Sequence, residues 1–265
     1  MGLTLPGIAQ SRSGRWSYDH RTKPGAPGGR CGRGGGKRTF LSMERQKALI
    51  TGASRGLGRA LARGLAEAGY QLIADARDGT ALGAALEGLE ATAIAGDITD
   101  PAHRAELARA VGDGLDLLVN NAGTLGAAPL PALADYPLDA LRDAFEANVV
   151  APLALTQSLL AALRIRGGAV LNITSDAAVE PYAGWGGYGA TKAALEQASA
   201  VLAAEEPSIR VWWADPGDLR TRMHQAAFPG EDISDRPEPE SVVPGLVKLV
   251  TQRLPSGRYQ IGELL

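Results

Sequence analysis

Short apolar runs alternate with longer stretches of helical periodicity from Lys47 to the end of the chain. Apolar runs of roughly four to eight residues, bounded by glycine or polar residues, are typical of buried strands. The pattern predicts seven strands, which are, in chain order, KALIT, QLIADA, ATAIAG, LDLLVN, GAVLNIT, IRVWWAD and GRYQIG. Because strands alternate with helices, we predict an α/β fold: a doubly wound, mostly parallel seven-stranded sheet with helices on both faces.

Helices are predicted between these strands. The first three are RALARGLAEAG, TALGAALEGL and DPAHRAELARAV, and the third places Pro101 in its first turn, where the missing N–H is harmless. Three more are predicted over Leu138–Arg164, Tyr188–Glu205 and Ser241–Arg253, and the proline-rich HQAAFPGEDISDRPEPE is predicted to be a loop. Ligands of doubly wound sheets bind at the carboxyl ends of the strands. Motifs that directly follow a strand are therefore candidates for a functional site.

Composition narrows the class of protein. The 265 residues are 45% hydrophobic with a net charge of -2, which suits one α/β core, so we expect residues 44–265 to form a single domain. The single cysteine, Cys31, excludes an intrachain disulfide and favours a reducing compartment, so we expect a cytoplasmic protein. The histidines are scattered, so no metal site is predicted, and no apolar run approaches the length of a transmembrane helix.

Residues 1–43 differ from the rest of the chain. They hold eight Lys or Arg against one acid, are rich in glycine and lack apolar periodicity, which predicts a disordered basic extension. Because Met43 directly precedes the first strand, an overlong assigned start is an alternative interpretation. A transit peptide, or a segment that contacts RNA or an acidic partner, also stays open, although nucleic acid is not the partner that we favour.

A tyrosine and a lysine lie one helical turn apart in GWGGYGATKAALEQ, at Tyr188 and Lys192. Side chains at i and i+4 project from the same helix face, about 5–6 Å apart at their Cβ atoms. An ammonium group so close favours the ionised form of a phenol and could suit a tyrosine to acid–base work near neutral pH. Taken alone, the pair is more typical of a half-buried aromatic residue beside a solvated charge, so other motifs must decide.

A glycine-rich turn, TGASRGLG, follows the first strand and opens a helix. Gly52, Gly56 and Gly58 are placed for a tight turn, for close approach of the backbone to a phosphate and for close packing of helix against strand. The free N–H groups and the dipole at a helix start favour a pyrophosphate. This context favours nucleotide binding over a plain strand–helix turn.

Three motifs together resemble the short-chain dehydrogenase/reductase family. They are the glycine spacing G-x-x-x-G-x-G, NNAG at Asn120–Gly123 after the fourth strand, and Y-x-x-x-K at Tyr188–Lys192. The resemblance runs from about Lys47 to the C-terminus and excludes the basic extension. It implies a Rossmann-type fold and an enzyme that transfers a hydride between a nicotinamide cofactor and a carbonyl or secondary alcohol.

The resemblance also implies roles for four residues. Tyr188 donates a proton to a carbonyl during reduction or removes one from an alcohol during oxidation, and Lys192 holds the nicotinamide ribose and lowers the pKa of Tyr188. Ser175, which precedes Tyr188 by the thirteen residues that the family uses, hydrogen-bonds the substrate oxygen. Asn148, on the long predicted helix, matches the fourth catalytic position and holds a water that connects Lys192 to solvent.

The residues of the implied cofactor site mostly follow the ends of predicted strands. Asp97 in AGDITD matches the acid that contacts the adenine ring, and DPGDLRT resembles the stretch that flanks the nicotinamide. The cofactor-binding residues that the resemblance implies are Gly52, Ser54, Arg55, Gly56, Leu57, Gly58, Arg77, Asp97, Ile98, Asn121, Ala122, Gly123, Tyr188, Lys192, Pro216, Gly217 and Thr221.

The turn after the second strand, IADARDG, bears on the choice of cofactor. Arg77 falls where NADP-preferring members of the family place a basic residue, and Arg55 adds a second cation near the expected 2′-phosphate. Arginine pairs bidentately with phosphate, which favours NADP(H). NAD(H) is the alternative, because a shift of one residue at this strand end would make Asp75 a ligand of the ribose hydroxyls.

The sequence says little about the substrate beyond a small carbonyl or alcohol compound. Tyr182 or Trp185 could stack on an apolar substrate, or pack against the helix start or another subunit. Asp218 and the bulky Leu219 depart from the commoner family pattern, which leaves the shape of the pocket open.

The resemblance further implies a homodimer or homotetramer built through alanine-rich helix faces, with intramolecular packing as the alternative. No membrane association is expected. Two rival functions stay open: an NAD-dependent alcohol dehydrogenase, and a nucleotide-sensing regulator of the same fold without turnover. The presence of both Tyr188 and Lys192 disfavours the regulator.

Overall fold

Seven parallel strands form one sheet, as the hydrophobic pattern predicts. The structure, a computed structural model, describes residues 45–265, so the predictions for residues 1–43 lie outside the described part. The strands are β1 Lys47–Ile50, β2 Gln71–Ala76, β3 Ala91–Ala95, β4 Leu117–Asn120, β5 Ala169–Ile173, β6 Arg210–Asp215 and β7 Gly257–Gln260. Their order across the sheet is β3-β2-β1-β4-β5-β6-β7, and every neighbouring pair is parallel.

Eight α-helices accompany the strands in this part of the chain. They are α1 Gly56–Glu67, α2 Gly79–Ala85, α3 Pro101–Val111, α4 Leu138–Phe145, α5 Ala151–Arg166, α6 Gly186–Glu205, α7 Arg222–Ala227 and α8 Val243–Thr251. Local signals fix several of their ends. The Asp78 and Asp100 side chains accept backbone N–H groups at the starts of α2 and α3, and Gly167 ends α5 in the left-handed conformation.

Each face of the sheet has its own apolar layer. Successive strand residues point to opposite faces, so Ala48 and Ile50 of β1 enter one layer and Leu49 enters the other. Residues of α1 and α8 cover the first layer, and residues of α3 and α5 cover the second. Trp212 on β6 is fully buried, and its indole N–H donates to the Leu254 carbonyl at 2.9 Å. Helices therefore cover both faces, as predicted.

The order of the strands reverses between β1 and β4. The chain builds outward from β1 to β3, returns to the other side of β1 with β4, and then builds outward to β7. A crevice opens at the carboxyl ends of the strands at such a reversal. The glycine-rich turn follows β1 and NNAG ends β4, so the fold brings these two motifs to the crevice.

The long predicted helix is continuous but irregular. A π-helical turn, Glu146–Val150, joins α4 to α5, and its middle residue, Asn148, is buried. Such turns are rare and occur frequently at functional sites. Apolar periodicity does not reveal a single extra residue per turn, so the sequence did not predict it.

The predicted loop after Thr221 contains the short helix α7, so the loop prediction is wrong over His224–Ala227. The Thr221 hydroxyl caps this helix by accepting the His224 N–H at 3.1 Å. The prolines and acidic residues that follow dominate the composition of the segment and conceal the helical turn.

One helix in the described residues, Leu138–Arg166, is 29 residues long and apolar enough to cross a membrane by length and composition alone. This is weak evidence, because core helices meet the same criteria. Of its most apolar window, 44% is buried inside the protein, and Leu155, Leu159 and Leu163 belong to the second apolar layer. The sequence prediction considered unbroken apolar runs only and did not single this helix out.

A glycine lets α1 pack closely on α8. A Cβ at Gly64 would lie 2.3 Å from Val243 Cγ1, whereas the same position on Gly83, exposed on α2, has no atom within 4 Å. We expect Gly64→Ala to lower the free energy of unfolding by about 1–3 kcal/mol, because a β-branched valine has little rotamer freedom. Gly83→Ala should raise it by up to about 1 kcal/mol. Urea denaturation of both variants checks this, and equal effects would contradict the packing argument.

Candidate active site

A long cleft follows the carboxyl edge of the sheet at the strand reversal. Its empty space, including open solvent at its mouth, is about 2750 Å³. The glycine-rich turn lies on one part of its wall, and Ser175, Tyr188 and Lys192 lie on another. The cleft therefore extends along both motifs, as a site for an extended ligand requires.

The glycine-rich turn and the NNAG segment pack together and leave no room for a side chain at Gly52 or Gly58. A Cβ on Gly58 would lie 2.3 Å from the Gly52 carbonyl oxygen, and one on Gly52 would lie 2.9 Å from Ala122 Cα. The Asn121 side-chain amide donates to the carbonyls of Thr51 and Gly52, at 2.8 and 3.2 Å. Gly58 therefore permits close helix–strand packing, and Asn121 braces the turn from the neighbouring strand end.

The first turn of α1 presents backbone N–H groups to the cleft. Its N-cap residue, Arg55, makes no side-chain capping hydrogen bond, and the first turn holds no acidic residue. Gly56 and Leu57 of this turn line the cleft. Free N–H groups at a helix start favour an anion. These residues therefore fit the pyrophosphate of a dinucleotide, the group that the family resemblance implies.

A buried carboxylate ties this turn to α3. Asp75, only 1% exposed, accepts the Gly52 N–H through Oδ1 at 2.8 Å, and its Oδ2 lies 3.0 Å from His103 Nε2. The hydrogen bond with Asp75 raises the pKa of His103. Because both oxygens of Asp75 are engaged inside the protein, the structure disfavours Asp75 as a ligand of ribose hydroxyls.

Arg77 and Asp97 follow β2 and β3 and line the same part of the cleft. The pKa of Asp97 is lowered, chiefly by the hydrogen bond from the Thr99 N–H at 2.9 Å and in part by the charge of Arg77. The Arg77 side chain is exposed, and Arg55 lines the cleft as well. Two arginines thus line this end of the cleft.

Tyr188 and Lys192 are both buried on α6. Lys192 Nζ lies 5.5 Å from the centroid of the Tyr188 ring and donates to the Ile173 carbonyl at 2.8 Å. Burial lowers the pKa of Lys192 to about 8. Burial also raises the pKa of Tyr188, and the charges of Asp215 and Asp176 raise it further. In the protein alone the net shift of the Tyr188 pKa is therefore upward, opposite to the shift expected from Lys192, because desolvation and two carboxylates dominate. The effect of Lys192 itself stays a prediction.

Ser175 follows β5 and lies beside Tyr188. Burial and the carboxylates raise the pKa of Tyr188, and a hydrogen bond with Ser175 acts in the opposite direction. Ser175 Oγ also accepts the Ala177 N–H at 3.2 Å, which caps a short 3-10 turn at Asp176–Ala178. The Ser175 hydroxyl is thus held beside Tyr188 in the cleft by the turn that it caps.

The π-turn places Asn148 behind the NNAG segment. Its Oδ1 accepts the Thr124 N–H at 2.8 Å, and its Nδ2 donates to the Thr124 carbonyl at 2.8 Å and to the Thr191 hydroxyl at 2.9 Å. A Cβ on Gly123 would lie 3.0 Å from Asn148 Oδ1 and 3.9 Å from Lys192 Nζ. Asn148 therefore connects the π-turn to the segment after β4 and to α6, next to Lys192. The water expected there stays a prediction.

Comparison with known proteins agrees with this geometry. The family model described as short chain dehydrogenase matches residues 46–232. The chain belongs to the short-chain dehydrogenase family. The members of this family are oxidoreductases, and the resemblance drawn from the motifs is confirmed.

Individual relatives of this short-chain dehydrogenase have named activities. It is 39% identical to the sepiapterin reductase of Meriones unguiculatus over 199 residues, which are 68% of this chain and 76% of that one. It is 37% identical to the rhamnolipids biosynthesis 3-oxoacyl-(acyl-carrier-protein) reductase of Pseudomonas aeruginosa over 203 residues, 69% and 77% of the two chains. A short-chain dehydrogenase from Escherichia coli complexed with NADPH superposes with a TM-score of 0.76 and 29% identity, over 82% and 96% of the chains.

The short-chain dehydrogenase motifs converge in space. All the residues that the sequence assigned to catalysis or to the cofactor line the cleft except Asn148, which lies behind Gly123. Asp218 and Leu219 line it too, and Leu219 is buried in the first apolar layer. The departure from the family pattern at Leu219 therefore serves packing as well as the cleft wall.

Sequence reasoning missed residues that support the site from behind. The Thr51 hydroxyl accepts the N–H groups of Asn121 and Ala122, both at 3.0 Å, and fully buried Thr191 holds Asn148. Thr51 could have been suspected, because it directly follows β1. His103 could not, since its partner lies 28 positions away and no local pattern joins them.

We expect the Asp75–His103 pair to make stability depend on pH. The pKa of His103 is raised in the folded protein. The stabilisation that the ion pair gives the fold is therefore fully present below the unfolded pKa of about 6.5, and it is lost as the pH rises through the folded pKa. His103→Gln should lower the free energy of unfolding by about 2 kcal/mol near pH 6 and by less near pH 9. Urea denaturation at both pH values checks this, with His224→Gln as the control. A difference that does not change with pH would contradict the ion pair.

Proposed function

We propose that this chain is an NADP(H)-dependent oxidoreductase that interconverts a carbonyl compound and a secondary alcohol, with Tyr188 as the acid or base. The observation that carries the proposal is one cleft that joins an uncapped helix start at Gly56 to Ser175, Tyr188 and Lys192. We take residues 44–265 as the single domain that performs the reaction.

The residues present fit a nicotinamide dinucleotide along the cleft. When bound, this cofactor supplies the hydride or accepts it. The first turn of α1 would hold the pyrophosphate, Asp97 and Ile98 the adenine end, and Lys192 the nicotinamide ribose. The segment Pro216–Thr221 would flank the nicotinamide.

Tyr188 and Ser175 are suited to act on the substrate oxygen. Because the pKa of Tyr188 lies above its usual value, the phenol is protonated near neutral pH and serves as a proton donor. The Ser175 hydroxyl offers a second donor toward the charge that develops on that oxygen. Lys192 carries its charge below about pH 8 and would stabilise the phenolate left on Tyr188.

Charge at the adenosine end favours NADP(H). Arg77 and Arg55 line that end, and an arginine pairs with a 2′-phosphate better than with a hydroxyl. Asp75, the residue that would favour NAD(H), is engaged by Gly52 and His103. The complex of the Escherichia coli relative with NADPH supports the same choice.

Aromatic and apolar side chains favour a substrate with an apolar body. Trp185 lines the cleft beside Tyr188, with ring centroids 5.8 Å apart, and Phe228 lies 6.0 Å from Trp185. Tyr182, the other candidate for stacking, is 47% exposed and turns its hydroxyl to Asp176. The two named relatives act, by their names, on sepiapterin and on 3-oxoacyl groups, which supports a ketone substrate here.

Two further proposals concern the whole protein. We propose a homodimer or homotetramer, because the described residues expose apolar side chains on neighbouring helices, including Val150 and Leu153 before and within α5 and Val201 on α6. We also propose a cytoplasmic location, which rests on the single cysteine of the sequence. The NAD-dependent alcohol dehydrogenase and the regulator without turnover are the alternatives that the following experiments separate.

Replacing the catalytic phenol tests the reaction. Tyr188→Phe should lower kcat for reduction of a ketone by NADPH about 10²–10⁴-fold, because the proton donor is lost. A panel of aryl ketones, 1,2-diketones and 3-oxo esters is followed by the consumption of NADPH. The control is Tyr259→Phe, since the Tyr259 hydroxyl donates a hydrogen bond to the Pro255 carbonyl outside the cleft. A wild-type protein that binds NADPH but turns over none of the panel favours the regulator.

Replacing Arg77 tests the choice of cofactor. Arg77→Ala should weaken NADPH binding roughly 10–100-fold and leave NADH binding nearly unchanged, because only NADPH carries the 2′-phosphate. Fluorescence titration of protein starting at Met43 measures both affinities. Arg109→Ala removes an exposed cation of α3 that lies outside the cleft lining and serves as the control. Tighter binding of NADH by the wild type would contradict the assignment of Arg77.

A further inference from the structure

A carboxylate directly follows Ser175 and engages its hydroxyl. Ser175 Oγ donates to Asp176 Oδ1 at 2.9 Å, and the Ala177 N–H donates to the same oxygen at 2.8 Å. The Tyr182 hydroxyl donates to Asp176 Oδ2 at 3.0 Å. A serine hydroxyl has one proton. Because a carboxylate oxygen only accepts, the bond to Asp176 uses that proton, and it competes with the hydrogen bond by which Ser175 would lower the pKa of Tyr188.

Asp176 differs from the other carboxylate that acts on Tyr188. Asp215, at the end of β6, accepts the Gly217 N–H at 2.9 Å and lies 3.4 Å from an Arg258 guanidinium nitrogen, so a cation shares its charge. The hydrogen bonds that the described residues give to Asp176 come from a serine, a backbone N–H and a tyrosine, which are all neutral.

The other charges near Tyr188 have partners of their own. Lys192 donates to the Ile173 carbonyl, and Glu196, one turn further along α6, pairs with Arg258 at 3.0 Å. Beyond β6, Asp218 lies 3.7 Å from His224 of α7. The titratable or charged residues on the elements packed around Tyr188 include Asp143, Glu146, Asp176, Lys192, Glu196, Asp215, Asp218, His224 and Arg258.

We propose that Asp176 is a positioning residue that holds the Ser175 proton away from Tyr188, keeps Tyr188 protonated and thereby sets the site for carbonyl reduction. The inference rests on the proposed function. An ionised Tyr188 would face the negative Asp176 and would compete with it for the Ser175 proton, so the protonated phenol is favoured. A protonated phenol is the form that donates to a carbonyl, whereas oxidation of an alcohol needs the phenolate.

The geometry lets Ser175 leave Asp176 during the reaction. When the oxygen of a bound carbonyl gains negative charge, the Ser175 hydroxyl turns its proton to it. Asp176 then keeps the Ala177 N–H and the Tyr182 hydroxyl, so its carboxylate stays hydrogen-bonded. The exchange therefore leaves no charge without a partner.

Neutralising Asp176 should change the two directions of reaction in opposite senses. Asp176→Asn keeps the shape of the side chain and removes its charge. Oxidation of the alcohol near pH 7 should become about 3–10-fold faster, and the pH above which reduction declines should fall by about one unit. A purely structural role of Asp176 would slow both directions and leave the pH profile unmoved.

The experiment compares the wild type with Asp176→Asn, Asp176→Ser and Glu180→Gln. Glu180 is an exposed carboxylate on the same segment, so its replacement controls for the loss of one charge. Rates in both directions are measured from about pH 6 to about pH 10, with NADPH or NADP⁺ and the best ketone–alcohol pair of the panel, and NADPH binding checks that each variant is folded. An unchanged profile in both Asp176 variants, or the same change in Glu180→Gln, would overturn the proposal.

A second readout needs no turnover. Tyrosine labelled with ¹³C at Cζ reports ionisation of Tyr188 by NMR in the complex with NADP⁺, and Tyr188→Phe identifies its resonance. Asp176→Asn should titrate at lower pH than the wild type, and coincident titrations would overturn the inference. Failure of the proposed function shows differently, as a Tyr188→Phe variant that is as active as the wild type.

Discussion

The end of β1 and the end of β4 approach so closely that a Cβ on Gly52 would lie 2.9 Å from Ala122 Cα. A Cβ on Gly58 would overlap the Gly52 carbonyl oxygen, and the Asn121 amide fills the remaining space with hydrogen bonds. Because β1 and β4 flank the reversal of strand order, this contact sets the floor of the cleft. It also fixes the direction of α1, whose first turn supplies the N–H groups for an anion. A bulkier residue at Gly58 would separate the two strand ends and move those groups.

At the end of the cleft that holds Tyr188 and Lys192, charged groups are taken out of water. Tyr188 and Lys192 are buried together, and burial shifts the pKa of the two groups in opposite directions because it favours the neutral form of each. The carboxylates Asp215 and Asp176 strengthen the effect on the phenol. The site thus holds a protonated tyrosine beside a lysine that loses its proton easily. The two halves of the cleft differ in kind, with exposed arginines at one end and desolvated groups at the other.

The sequence was sufficient for the sheet and for the residues that gather in the cleft. Unbroken apolar strands separated by helical stretches leave few alternatives to a doubly wound sheet, and motifs that follow strands must meet at one edge. The i, i+4 spacing put Tyr188 and Lys192 on one helix face, and the family resemblance, through its thirteen-residue spacing, added Ser175. The structure brings all three to the wall of the cleft. Residue spacing was enough to predict which residues meet where their positions follow from one helix or from the ends of adjacent strands.

Features that depend on burial or on distant partners were not predictable. The i, i+4 spacing gives the distance from Tyr188 to Lys192 but not the solvent exclusion that reverses the expected pKa shift. The pairing of Asp75 with His103 joins positions far apart in sequence, and the π-turn at Asn148 leaves the apolar period of its helix almost unchanged. The helix α7 was hidden by the composition of the segment around it.

The protonation state of Lys192 depends on the pH and on its surroundings. With a pKa of about 8 in the protein alone, this lysine is neutral in a substantial fraction of molecules under mildly alkaline conditions. A ligand that brings negative charge beside Lys192 would favour the ammonium form, and a positively charged ligand would favour the neutral amine. The charge of this buried lysine therefore depends both on the pH and on the charge of what binds beside it.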